Sequence, residues 1–294
     1  MKFRPVILFP IAAVVVTLLY AFGETRIKPE TQEKPGMQAG ANAPHQGGDD
    51  AHAHDHSAGV EYILSRASTR LTTEQSDSVN LLTNAAEAAT TPETKYNAYK
   101  QLGNYWMRTG NFITAGYYHS KAADASPNDK EQRRLAARTL AVAINGAADS
   151  TAREFAVHHA LHQYEALRET DPNDVQAKLE MALVYVEGTN ETMQGVLLLR
   201  EVEKTDPENE TMNLTLGRLA VVSGQFDKAI TRLEKLVQRN PNNAEAYIHL
   251  AEAYRATGQK TKALQALEQC KRVVKDSPEA VKQVEQIIAS INKS

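Results

Sequence analysis

A spacing of 34 residues runs through the last third of this chain. Leu216-Gly217 returns as Leu250-Ala251, Gly224 as Gly258, Ala229 as Ala263 and Pro207 as Pro241. Self-similarity at this period constrains the fold more than any other feature. Each repeat is one supersecondary unit that cannot bury its apolar face alone and must stack on neighbours. Small residues recur where two helices have to approach closely: Gly103, Gly217, Ala115, Ala229 and Ala263. Large apolar residues at i, i+3, i+4 and i+7 fill the layers between hairpins. Asp171-Pro172, Asp206-Pro207 and Asn240-Pro241 mark where one helix ends and the next opens. The spacing predicts an all-α chain of stacked helical hairpins, an architecture that offers extended surfaces for binding other proteins.

Three segments carry the fullest register. The first, from Tyr96, has Tyr99, Leu102-Gly103, Trp106, Ala115, Ala122 and Pro127. The second, from Glu210, has Leu216-Gly217, Ala220, Gly224, Ala229, Leu233, Leu236 and Pro241. The third, from Ala244, has Tyr247, Leu250-Ala251, Tyr254, Gly258, Ala263, Leu267 and Cys270. With these residues at these offsets the chain resembles the tetratricopeptide repeat (TPR) family, over about three-fifths of its length.

Two middle units are degenerate. The one over 130–171 has Ala160, Tyr164 and Leu167 in its second half, followed by Pro172; the 45 residues from Pro127 to Pro172 require roughly one extra helical turn plus loop, expected around Asn145 to Ala152. The one over 175–206 has Tyr185, then Gly195 where alanine is usual, then Pro207. The resemblance implies a right-handed superhelical TPR solenoid of about five hairpins over 92–277. Residues 278–294 read as a capping helix, with Val281, Val284, Ile287, Ile288 and Ile291 on one face and Lys282, Gln283, Glu285 and Gln286 on the other. Residues 60–91 read as leading helices: Gly, Pro and His are absent between Glu61 and Thr91. Leu71, Val79, Leu81, Leu82, Ala85 and Ala89 are available to pack on the first repeat.

The amino terminus is different in kind. Met1-Lys2-Phe3-Arg4 precedes an apolar run from Pro5 to Phe22 that would span roughly 27 Å as a helix, enough to cross a bilayer. Residues 1–23 read as an uncleaved transmembrane anchor. A cleaved signal peptide is the rival, although Leu19-Tyr20-Ala21 puts a large residue where cleavage wants a small one. No cysteine follows to carry a lipid. Lys2 and Arg4 hold the amino end in the cytoplasm, which places the repeats outside it: at the inner membrane facing the periplasm, in a Gram-negative cell. Residues 24–59 are dominated by Pro, Gly, Ala, Gln, Asp and His without apolar period and read as a disordered tether. Its mean span would be on the order of 30–35 Å.

Few residues invite chemistry. A net charge of −3 gives no nucleic-acid signature. The single cysteine, Cys270, excludes an internal disulfide and reads as a small core residue. In the tether, His52, His54 and His56 alternate, with His45 nearby; imidazoles so crowded can bind zinc, copper or nickel, or can simply be polar linker. His158 and His162 share a helix face without an evident third ligand. No catalytic motif is present; neither an enzyme nor a cofactor is expected.

The resemblance gives a sharper expectation. In the TPR family, ligands lie in a concave groove lined by the first helix of each hairpin. The groove offsets fall on Asn97, Lys100, Asn104 and Arg108, with Arg134, Arg138 and Arg218 on later first helices. Lys100-x-x-Gly103-Asn104 is similar to one half of the clamp with which some members hold a peptide's terminal carboxylate. The later positions Glu245, Ile248, Glu252 and Arg255 are mixed in sign. The implied partner is a protein or peptide with an acidic or C-terminal carboxylate segment. The layout also resembles periplasmic chaperones near the secretion channel and factors that present apocytochromes during cytochrome c maturation. Metal handling by the tether is a third reading.

Overall fold

The computed structural model describes residues 53–293, with side chains from Gly59 onward. The apolar run and all but the end of the tether lie outside the described residues. Among the described residues there are thirteen helices and no strand, and no helix is long and apolar enough to cross a membrane. The helices are α1 (Ala53–Ser68), α2 (Thr73–Glu87), α3 (Pro92–Arg108), α4 (Phe112–Ala125), α5 (Lys130–Ile144), α6 (Ser150–Thr170) and α7 (Val175–Gly188). They continue as α8 (Thr192–Thr205), α9 (Glu210–Val222), α10 (Phe226–Arg239), α11 (Ala244–Ala256), α12 (Lys260–Val273) and α13 (Pro278–Lys293). The fold is the all-α solenoid type that the period predicts: five consecutive helical hairpins, α3/α4 to α11/α12, then a last amphipathic helix. Two compact units part between Met212 and Asn213.

Local chemistry sets the boundaries. Each link between hairpins is a proline followed two residues on by Asp or Asn: Pro127 and Asp129, Pro172 and Asp174, Pro207 and Asn209, Pro241 and Asn243. The second of each pair caps the next helix, its side-chain oxygen accepting from the backbone N–H three residues on, at Gln132, Ala177, Met212 and Ala246. These bonds satisfy donors the first helical turn leaves orphaned. Within three hairpins the turn uses a left-handed glycine, at Gly110, Gly224 and Gly258 with φ of 79°, 73° and 74°. The next residue's N–H then reaches back five residues, to the carbonyls of Trp106, Ala220 and Tyr254. That is the closure that ends a helix on an αL residue. Neither middle hairpin has a positive-φ residue at its turn. The extra length expected near Asn145 is divided: residues 145–149 form the turn, and α6 runs to 21 residues where α4 has 14.

In the first unit, Leu102 and Trp106 of α3 and Ala115 and Tyr118 of α4 form the core of the first hairpin, joined by Ala67 of α1 and Ala86 of α2. Gly103 lets α3 approach the His119 ring of α4. Two helices do precede the repeats, but α1 begins at Ala53, inside the segment expected as tether, and its docking differs from α2's. While α2 packs on α3, α1 lies across α4 and α6. Ile63 joins Ala152 and Phe155 in one apolar cluster, and Gly59 lies against the Phe155 ring. Arg66 and Tyr62 both bind Asp149, the cap of α6, so α1 runs antiparallel to that helix. A polar network crosses the same unit: Arg133 of α5, buried, donates to Gln163 of α6 at 2.7 Å and to Asp124 of α4 at 3.2 Å.

In the second unit one apolar core runs from Val221 through Leu233, Leu250 and Leu267 to Val284, Ile287 and Ile291 of α13, whose apolar stripe is the predicted one. Cys270 is buried in it, and burial pushes its thiol up to about 12, so it is inert as a nucleophile. His249 of α11 is also buried, 3.7 Å from carboxylate oxygens of both Glu245 and Glu252. Burial disfavours its charge, but the two carboxylates outweigh that and hold its pKa above the ordinary 6.5. A raised histidine pKa gives stability that is whole below pH 6.5 and fades as pH climbs through the folded value. The second unit is therefore expected to soften as pH rises above 6.5, and His249→Gln to remove that slope. Amide hydrogen exchange of α11, corrected for intrinsic rates at each pH, measures it; a slope unchanged by the substitution would refute the assignment.

Candidate functional site

Asn97, Lys100, Asn104 and Arg108 follow one another at i+3, i+4 and i+4 along α3 and share a single stripe. The helix is held in place from both sides of its sequence. Thr91 caps it with Pro92 in the first turn, and Leu102, Gly103 and Trp106 bury its opposite face. Asn97, Asn104 and Arg108 are exposed, and Lys100 is half-buried. The Lys100 ammonium donates to the Tyr96 hydroxyl at 2.9 Å and lies 5.0 Å from the centre of that ring. Tyr96 in turn donates at 2.8 Å to Asp129, the cap of α5. The Asp129 carboxyl is held below its usual range, first by the Gln132 backbone N–H and further by Tyr96 and Lys100. Arg108 lies over the Tyr105 ring, 5.4 Å from its centre, and has no acidic partner among the described residues.

The arginines on the next first helix have another role. Arg134 is ion-paired with Asp174 and has Glu180 at 3.9 Å. The Arg138 Nε donates to Glu180 at 2.7 Å. Asp174 caps α7 and Glu180 lies on it, 40 and 42 residues along the chain, so the structure balances these two guanidinium charges within the protein. Arg134 and Arg138 are thus neutralised within the protein, whereas Lys100 and Arg108 have no ion-paired acid among the described residues. Arg218 belongs to the second unit, where it lies near Glu245. The Glu245 carboxyl is lowered first by His249 and then by Arg218.

The histidine expectations separate by position. His45 and His52 lie outside the described residues, while His54 and His56 fall in the first turn of α1. On α6, His158 and His162 are exposed, and the His159 ring lies tilted against Phe155 with ring centres 4.2 Å apart. Among the described residues, no group of three His, Cys, Asp or Glu is placed to hold a metal ion. The sequence reading missed Asp174 and Glu180; their (i, i+6) spacing on a degenerate unit gave no signal.

Residues 220–287 match the tetratricopeptide repeat family model. No curated protein matches the chain in sequence. Among solved structures, MamA of Desulfovibrio magneticus RS-1 superposes with a TM-score of 0.50 at 17% identity, over 63% of this chain and 97% of that one. A second MamA structure gives 0.49 at 17% identity, over 63% and 94%. A thermophilic TPR protein from Thermus thermophilus gives 0.46 at 20%, over 68% and 100%. The likeness to MamA is one of fold.

Proposed function

We propose that this TPR protein is a membrane-anchored scaffold, exposed outside the cytoplasm, that binds a partner's peptide through the α3 stripe. The observation that carries the reading is the stripe itself: two exposed amides and an unpaired guanidinium on a preformed helix face. Amide N–H groups and a guanidinium together suit a carboxylate, which accepts several hydrogen bonds at once. A rigid face also limits the ordering cost of binding to the peptide. Lys100 contributes charge while tied to Tyr96, and the apolar run 5–22 supports the anchor.

The test uses the full-length protein and fluorescently labelled acidic peptides, each made with a free and an amidated C-terminus. The expected result is binding that weakens at least tenfold on amidation, weakens similarly in the Asn104→Ala/Arg108→Ala variant, and falls with added salt. Equal binding by the amidated peptides and by the variant would overturn the carboxylate reading. Retention of many unrelated unfolded proteins by both forms would instead favour a chaperone that holds clients.

A further inference from the structure

The second helix of every hairpin has one small buried residue: Ala115, Ala160, Gly195, Ala229 and Ala263. The positions two before and two after it lie on the opposite side of the helix, one turn apart. In α10 they hold Asp227 and Thr231, in α12 Thr261 and Gln265, and in α6 His158 and His162, all exposed. Such polar residues suit a helix side that faces water. In α4 the two positions are apolar, Ile113 and Tyr117, and that side is covered. There α1 crosses the helix, and both side chains pack, with Val60, on the cluster that Ile63 of α1 forms with Ala152 and Phe155. In α8 the two positions are Met193 and Leu197, apolar as in α4, yet 67% and 52% exposed.

The same side of α8 continues with Arg200 and Lys204, at i+7 and i+11 from Met193 and both exposed. Neither has an acidic partner among the described residues. The register position of Arg200 is an acid in α10 and α12, Glu234 and Glu268, so its charge is reversed here. The neighbouring Glu201 is already paired with Lys178, 3.1 Å away. The buried side of α8, with Gly195, Leu199 and Val202, faces the other way.

We propose that this side of α8 is a docking surface for an amphipathic helix of a partner protein, laid on α8 as α1 is laid on α4. Apolar residues of that helix cover Met193 and Leu197, and its carboxylates pair with Arg200 and Lys204. The precedent inside the chain says what covers such a pair of apolar residues, and the reversed charge says that the partner is acidic. The surface is separate from the α3 stripe and does not depend on what that stripe binds.

Full-length protein is titrated with a fluorescently labelled, stapled helical peptide. The peptide has leucines one turn apart and glutamates on the next two turns of the same side; a second peptide has lysines in place of the glutamates. The expected result is saturable binding of the first peptide and at least tenfold weaker binding of the second. Met193→Asp/Leu197→Thr, which takes the residues α10 has at both positions, should weaken the first at least tenfold. Arg200→Glu/Lys204→Glu should exchange the preference and bind the lysine peptide more tightly, an outcome that misfolding cannot produce. Asn104→Ala/Arg108→Ala should bind as the wild type does. No saturable binding up to millimolar peptide would overturn the proposal, as would equal binding of the two peptides or an unaffected Met193→Asp/Leu197→Thr variant. A dimer in light scattering that Met193→Asp/Leu197→Thr abolishes would overturn it in favour of a second copy. An environment-sensitive dye attached through Met193→Cys is specific because Cys270 is buried. A blue shift of that dye on phosphatidylglycerol vesicles, without response to either peptide, would overturn the proposal in favour of a lipid surface.

Discussion

Lowering the pH from 7 to 5 is expected to cost the first unit about 2 kcal/mol of stability through one side chain, His119. Its ring is fully buried, and burial, aided by the nearby Lys100 charge, pulls its pKa from 6.5 down to about 4. The unfolded chain therefore takes up a proton between those two values that the folded chain refuses, so stability is whole above pH 6.5 and declines as pH falls towards 4. The hydrogen bonding agrees. The Gln132 side-chain N–H donates to His119 Nδ1 at 3.0 Å and also to the His119 carbonyl at 3.2 Å. Protonating Nδ1 would set two donors face to face, and Nε2 has no acceptor to compensate. Leu233 and Leu267 hold the equivalent position, and Leu233 lies against Gly217 as His119 lies against Gly103. His119→Leu should therefore fold and lose the acid sensitivity. Urea melts followed by Trp106 emission at pH 7 and 5 check this. A wild type with the same midpoint at both would show that the imidazole is not held neutral. The second unit, through His249, leans the other way.

Gly195→Ala is expected to destabilise the protein by about 1–3 kcal/mol, although alanine is favoured over glycine in a helix by roughly 1 kcal/mol. Ala229 and Ala263 show that the register accepts alanine in other hairpins. At Gly195 a Cβ would stand 2.7 Å from the Ala182 carbonyl oxygen and equally close to a Val186 methyl. The carbonyl is backbone of α7 and cannot swing aside, so α7 and α8 would have to separate. Gly146→Ala is the control: the nearest atom to its added Cβ is 3.9 Å away. Thermal unfolding followed by circular dichroism should show a lower midpoint for Gly195→Ala and none for the control. Equal midpoints for Gly195→Ala and wild type would mean that the helices have slack at this contact.

Where structure follows from spacing, the sequence was a sufficient guide. The hairpins, the stripe on α3, the core role of Cys270 and the apolar face of α13 all depend on residues a few positions, or one repeat, apart. Even Gly195 stood out as a departure, though only the α7 carbonyl explains it. What stayed hidden depends on tertiary neighbours. Asp174 and Glu180 reach Arg134 and Arg138 from the next hairpin, and no local pattern announces such a pair. The buried indole N–H of Trp106, which finds no acceptor among the described residues, is likewise a tertiary fact that no spacing announces. The first turn of α1, rich in His and Asp, has the composition of a linker; its helix is supported by docking on α4 and α6, which outweighs local preference.

The docking of α1 also imposes a timetable on the newborn chain. Arg66 must wait for Asp149, 83 residues later, before its anchor exists. At ordinary rates of protein synthesis that interval is on the order of 4–17 s. A lone helix of 16 residues is barely stable in water, so for those seconds it flickers. The docking of α1 on α6 is thus completed only after the first hairpin, α3 with α4, has both its helices, and anything that meets the nascent chain early meets α1 without that partner.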